Sequence, residues 1–507
     1  MRLALIRVLL PPLLVIAASH ARADIALAPL FGDHGVLQRD QPVPVWGSAA
    51  PGEAVTVSYR GQTARTVADK DGLWSVLLEP MAAASDPATL VAAGRNTVVL
   101  SDVVIGEVWL ASGQSNMEWP LERARGGAEE IASCNLPLIR ELKIERSIST
   151  TPARLAKTGG WRPASPRTAG GFSAVGYFFA REVHRRLGVP VGIIHSSYGG
   201  TQIESWIGDD ARNSTSLAAV LAARWKQAMS EWPPERVARY PADMERWQKE
   251  QAIADAAKTK NPLPWPAPPA TDDSPALPGG LFNGMIAPLA PFAIRGFLWY
   301  QGESNVGRDA EYPELFRTLI QSWRRQWGGG DLPFNFVQLP NYADNAPQGT
   351  AWARMREAQA SALALPATGM AVAIDVGEAD NLHPTDKREV GRRLALLAIA
   401  RTYGRDGEDS GPQFERAIPS GETIRVQFLH AGSGLIVRGK GVRSLELAGP
   451  DKVFHPAEGR IDGDILIVSS PNITRPIAVR YAWSNAPEAN LGNGAGLPAA
   501  PFRSDNW

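Results

Sequence analysis

Two short stretches carry residue types that can do nucleophilic chemistry together. The first is Gly113-Gln114-Ser115-Asn116-Met117, which follows the strand-like run Val108-Trp109-Leu110-Ala111. A serine at the carboxyl end of a strand in an open parallel sheet presents its hydroxyl and its backbone N–H to the ligand cleft. Serine at such a turn also serves as a plain helix cap, and Met117 stands where the G-x-S-x-G elbow of α/β-hydrolases requires glycine. The second stretch is Asp380-Asn381-Leu382-His383-Pro384, between the apolar run Met370–Val376 and an amphipathic helix. An Asp three residues before a His can orient the imidazole locally, leaving the other ring nitrogen as a general base. Ser115 as nucleophile, His383 as base and Asp380 as its orienting acid form the candidate catalytic set.

Two more polar loops follow apolar runs. Ser197-Tyr198-Gly199-Gly200-Thr201 comes after Val191–Ile194, and glycine lets main-chain N–H groups approach a substrate closely. Trp299-Tyr300-Gln301-Gly302-Glu303-Ser304-Asn305 comes after the next such run. Gln301 is a candidate amide donor to an oxyanion, and Glu303 a candidate for orienting His383 or binding substrate. Gln114, Asn305 and Trp483 are further candidates for substrate contact, and Trp119, Trp206 and Trp483 for a platform against sugar rings.

The elements that must hold these loops alternate between strand and helix. Residues 105–208 and 281–405 read as one α/β domain with a covered parallel sheet. Ser173–Leu187 has helical apolar spacing and is stopped by Gly188 and Pro190. Residues 209–280 interrupt the pattern as a helical insertion ending in a proline-rich stretch. Residues 24–104 and 406–507 read as β domains, with Asp71-Gly72 signalling a hairpin between Thr63–Val67 and Leu73–Leu78.

The N-terminus reads as a leader. Arg2 and Arg7 precede the apolar run Val8–Ala18, and Ala21-Arg22-Ala23 offers a small-residue cleavage site. That run is well short of the roughly 20 residues of a membrane span, and Pro11 and Pro12 interrupt it. Residues 1–23 are therefore expected to be a signal peptide, with the mature chain periplasmic or extracellular and without a membrane span. The chain of 507 residues carries 52 basic and 52 acidic side chains, and loss of Arg2, Arg7 and Arg22 leaves a net charge of about −3. This balance argues against a nucleic-acid carrier. Cys134 is the single cysteine, so neither an internal disulfide nor a cysteine-rich metal site is expected.

The four polar blocks together resemble those of the sialate O-acetylesterase family, a branch of the SGNH (GDSL-like) hydrolases near the acetylxylan esterases. The resemblance takes in Tyr198-Gly199-Gly200-Thr201-Gln202-Ile203-Glu204-Ser205-Trp206 and the tail Tyr481-Ala482-Trp483-Ser484-Asn485-Ala486-Pro487. It implies a flavodoxin-like three-layer SGNH domain flanked by β-sandwich-like domains. It further implies a serine esterase needing neither cofactor nor metal, acting on an acetylated carbohydrate. By position the oxyanion hole would comprise the N–H of Ser115, a glycine N–H from Gly199 or Gly200, and the Gln301 amide. The superfamily's third block has Asn where this chain reads Gln-Gly-Glu. O-acetylated sialic acid and acetylated xylan are both candidate substrates, and a non-catalytic glycan-binding protein is the rival from another class.

Overall fold

A single strand, Thr97–Gly113, organises the molecule and shows both of its folding regimes. In the computed structural model, which describes residues 24–507 apart from Lys258, Lys260 and Gly329, its first six residues alternate in exposure, while Val103–Gly113 are all buried. Alternation marks a sheet with one wet face, and continuous burial one covered on both. The leader read over residues 1–23 lies outside the described residues.

We number the strands of the central sheet β1 (Thr97–Gly113), β2 (Leu136–Ile144), β3 (Thr158–Ala164), β4 (Val191–Ser197), β5 (Gly296–Tyr300), β6 (Phe334–Gln338) and β7 (Thr368–Val372). Their order is β3-β2-β4-β1-β5-β6-β7, parallel throughout except for β3 against β2. From β1 the chain builds outward on one side through β4 and on the other through β5. The carboxyl end of β1 is thus the point where strand order reverses, the place where open α/β sheets bind ligands.

Helices cover the sheet where the sequence has apolar stripes. Ala174–Leu187 starts at Ser173, whose hydroxyl accepts from Gly176 N–H, and ends at Gly188 in the left-handed conformation. Tyr312–Gln326 buries Leu315, Phe316, Leu319, Ile320 and Trp323 on one face. Lys387–Leu397 packs against Ala174–Leu187. The α/β fold with flanking β domains is as expected.

The N-terminal module pairs Val43–Ser48 with Leu73–Leu78 in one sheet and Ala54–Tyr59 with Gln62–Val67 in another. Asp71-Gly72 does form a turn, with Gly72 at φ 74°, but it is not a hairpin. It carries the chain from one sheet to the other, so the two runs flanking it belong to different ladders. The second sheet continues through Ala84–Ala93 into the first half of β1, so position 104/105 falls inside a strand. In the insertion, Ala218–Ser230 is followed by a helix that begins at Pro234 and runs through Pro241 to Ala257. The C-terminal sheets enclose a separate core around Ile424, Val426, Leu447, Leu466 and Val468.

Candidate active site

β1 ends at Gly113, where φ is 135° and a Cβ would lie 2.2 Å from the Tyr300 carbonyl oxygen. Only glycine allows β5 to approach so closely, and the chain then turns at once into the short helix Ser115–Glu118. Ser115 therefore sits at the first turn of that helix, in the crevice at the strand reversal. From the far side of the cleft comes His383, in the loop between β7 and Lys387–Leu397. Its Nε2 lies 2.8 Å from Ser115 Oγ, within range for the hydroxyl to donate.

The base is held by its loop and by an aromatic ring. Asn381 Oδ1 accepts from His383 N–H, Asn381 Nδ2 donates to Glu378, and Glu378 accepts from both the N–H and hydroxyl of Thr385. Trp119 stacks on the imidazole at 5.1 Å and 18°, and the Arg123 guanidinium lies 4.1 Å from the same indole. Burial, then the positive charges of Lys387 and Arg123, hold the His383 pKa down to about 4. The imidazole is thus uncharged over the whole neutral and mildly acid range.

Asp380 does not take the orienting position. Its residue is exposed, and among the described residues no hydrogen bond or ion pair joins it to His383. Asn381 and Glu378 shape the loop instead, turning the carboxylate of residue 380 to solvent. Gln301 is likewise withdrawn from the oxyanion hole. It is fully buried, its Nε2 donating to Thr201 O at 3.1 Å and Asn305 Oδ1 at 2.8 Å while its Oε1 accepts from Tyr312. Asn305 is equally committed, accepting from Ile203 N–H and donating to Glu204. Gln114 lies buried with its side-chain oxygen toward the N–H groups of Gly302 and Ser304. These three side chains tie the loops to one another rather than facing substrate.

Gly199 lies beside the nucleophile, where a Cβ would come within 3.2 Å of Ser115 Cβ. Its N–H donates to Glu118 Oε2 at 3.0 Å, and Glu118 is itself gripped by Arg146. Gly200, exposed and at φ 74°, follows it on the rim. Of the three tryptophans considered as a platform, Trp206 is fully buried and Trp483 is 6% exposed, so neither offers a face to a sugar. Trp119 is spent on His383. Gln202, Glu204 and Arg308, with Arg224, Trp225 and Trp232 of the insertion, line a separate cavity of about 190 Å³.

Sequence reasoning missed a buried polar set behind the pair. Asn116, fully buried, donates from Nδ2 to Glu303 Oε1 at 2.5 Å and to the Leu382 carbonyl at 3.1 Å, while its Oδ1 accepts from Lys387 Nζ. Lys387 is 1% exposed, and Glu303 Oε2 is buried without a partner among the described residues. Asn116 was visible as the residue after the nucleophile. Lys387, the first residue of a helix, carries no sequence mark of burial. The tail motif also gains a meaning: the fully buried Arg356 donates to the carbonyls of Leu339, Pro340, Ser484 and Asn485, clamping the tail onto the α/β domain.

The chain is similar to known proteins along most of its length. Residues 280–400 match the family model described as carbohydrate esterase, sialic acid-specific acetylesterase. The mouse sialate O-acetylesterase is 28% identical over 434 residues, 77% of this chain and 76% of that one. The human protein of the same name is 27% identical, covering 78% and 74%. A crystal structure of a carbohydrate acetylesterase from Xanthomonas citri is 39% identical, with a TM-score of 0.81 over 95% of this chain and 100% of that chain.

Proposed function

Because the chain belongs to the sialate O-acetylesterase family and is a sugar-deacetylating carboxylic ester hydrolase, we propose that Ser115 and His383 carry out the hydrolysis and that O-acetylated sialic acid is the substrate. The observation that carries the mechanism is the 2.8 Å approach of Ser115 Oγ to His383 Nε2 at the strand reversal. His383 Nε2 takes the hydroxyl proton as Ser115 Oγ attacks the acetyl carbonyl. The tetrahedral intermediate collapses, the C–O bond to the sugar breaks, and His383 returns its proton to the departing sugar oxygen. Water, activated by the same nitrogen, then releases acetate from the acetyl-enzyme. With Gln301 and the Gly199 N–H committed elsewhere, the oxyanion donors are the N–H groups of Ser115 and Gly200.

The sialate reading is supported by the names of the relatives and of the family model. The protein is exported by its leader and acts outside the cytoplasm, and among the described residues no helix is long and apolar enough to cross a membrane. Release of acetate from O-acetylated sialic acid, compared with acetylated xylan, tests the substrate. A preference for xylan would overturn the sialate assignment while leaving the esterase intact.

A further inference from the structure

The mechanism above leaves two buried ionisable side chains unused within reach of its base. We infer that Lys387, Asn116 and Glu303 form a single positioning unit for His383, taking the place that sequence spacing offers to Asp380. Asn116 is its hub. It follows the nucleophile in the chain, and its Nδ2 holds both Glu303 and the Leu382 carbonyl, the peptide oxygen directly before His383. One amide therefore fixes the base's main chain relative to the turn that bears Ser115. Its remaining polar atom, Oδ1, accepts from Lys387, so the amide is used at both ends.

Lys387 does more than fill space. Its ammonium lies 5.7 Å from the centroid of Trp119, the ring stacked on His383, and 5.5 Å from that of Tyr300. Burial holds Lys387 down to about 7, against the carboxylates of Glu303, Glu378 and Asp386 that raise it. Burial pushes Glu303 up, relieved by the amide of Asn116 and the charge of Lys387. Among the described residues the charges that act on His383 are those of Lys387 and of Arg123 from the turn Leu121–Arg123, while the carboxylates of Glu303, Glu378 and Asp386 act on Lys387. A buried cation beside an imidazole disfavours its charged form, so this unit adds to the burial that keeps the base free of a proton in acid. Glu303, whose Oε2 has no partner among the described residues, balances Lys387 within the same pocket.

The test rests on the Ser115–His383 reading and separates from it. Kinetics of aryl acetate hydrolysis as a function of pH should place the acid limb of kcat/KM in the native enzyme well below 6.5. Lys387→Met should move that limb upward and lower kcat several-fold, while Lys387→Arg leaves the limb in place. Should Lys387→Met alone fail to fold, Lys387→Gln, which removes the charge and keeps a donor for Asn116 Oδ1, should raise the limb likewise. A merely structural lysine would alter the melting temperature and kcat without moving the limb, and an unmoved limb in a folded variant overturns the inference. Fluorophosphonate labelling of Ser115 in the same preparations distinguishes the two failures. Labelling with an unmoved limb sinks this inference alone, whereas absence of labelling in the native enzyme sinks the serine mechanism and this inference with it.

Discussion

The turn after β1 and the turn after β5 both follow buried strands of one sheet, and both are rich in polar side chains. In the first, Ser115 is partly exposed and its Oγ meets the base from across the cleft. In the second, Gln301 and Asn305 are buried and spend their amides on Thr201, Ile203, Glu204, Tyr312 and each other. Position at a strand end is common to both. What separates chemistry from scaffolding is whether a donor or acceptor is left uncommitted toward the cleft. The second turn has another use, since its bonds fix the Gly199–Gly200 loop against which an acetyl group must lie.

Replacing Ser115 with Ala strikes the reactive turn directly and should lower aryl acetate turnover by at least about 10³-fold, with the circular dichroism spectrum unchanged. Retained activity would refute the assignment. Next in size is the response to pH. An unperturbed base with a pKa of 6.5 would be only about 3% deprotonated at pH 5, whereas His383, held down to about 4, stays mostly neutral there. The native enzyme should therefore keep most of its pH 7 kcat/KM at pH 5, and a fall of about 25-fold would contradict the depressed pKa. The linked stability runs the same way. Below 6.5 the unfolded chain binds the proton first, so folding loses stability as pH falls from 6.5 toward 4.

Gln301→Ala attacks the scaffolding turn. It strands the partners of a buried amide and should destabilise the fold by about 1–3 kcal/mol, read from denaturant unfolding. At low temperature, where the variant stays folded, kcat should drop by less than the factor of about 10²–10³ expected for a lost oxyanion donor. A drop that large would restore Gln301 to the hole. Asp380→Asn should be the smallest change, within about twofold in kcat, against the roughly 10⁴-fold loss seen for a triad carboxylate that truly orients its histidine.

Periodicity made the α/β domain legible because buried strands and amphipathic helices leave local marks. It did not reveal β2, whose run includes Arg140 and Glu141. Both are buried, and they are neutralised or bonded by partners distant in sequence, Asp102 and Ser173. The turn at Asp71-Gly72 was readable as a turn, but which strands pair depends on contacts that turn chemistry does not encode. Ser115 and His383 stood out because each lies in a short motif at a strand end. Asp380 is marked by its spacing and by its place in the motif, and three residues of separation do not say which way a loop carboxylate points. Lys387, at a helix start, looks like solvent-facing charge until the fold closes over it.

The long strand β1 has a consequence for how the protein can be divided. Its outer half belongs to the N-terminal module and its inner half leads without a break to Gly113. An enzyme trimmed at residue 105 would lose no residue of the cleft, yet it would take half the span from the beam on which the nucleophile is mounted. The N-terminal module is better regarded as the abutment of that beam than as an ornament beside it, and loosening at one end should be felt as play at the other.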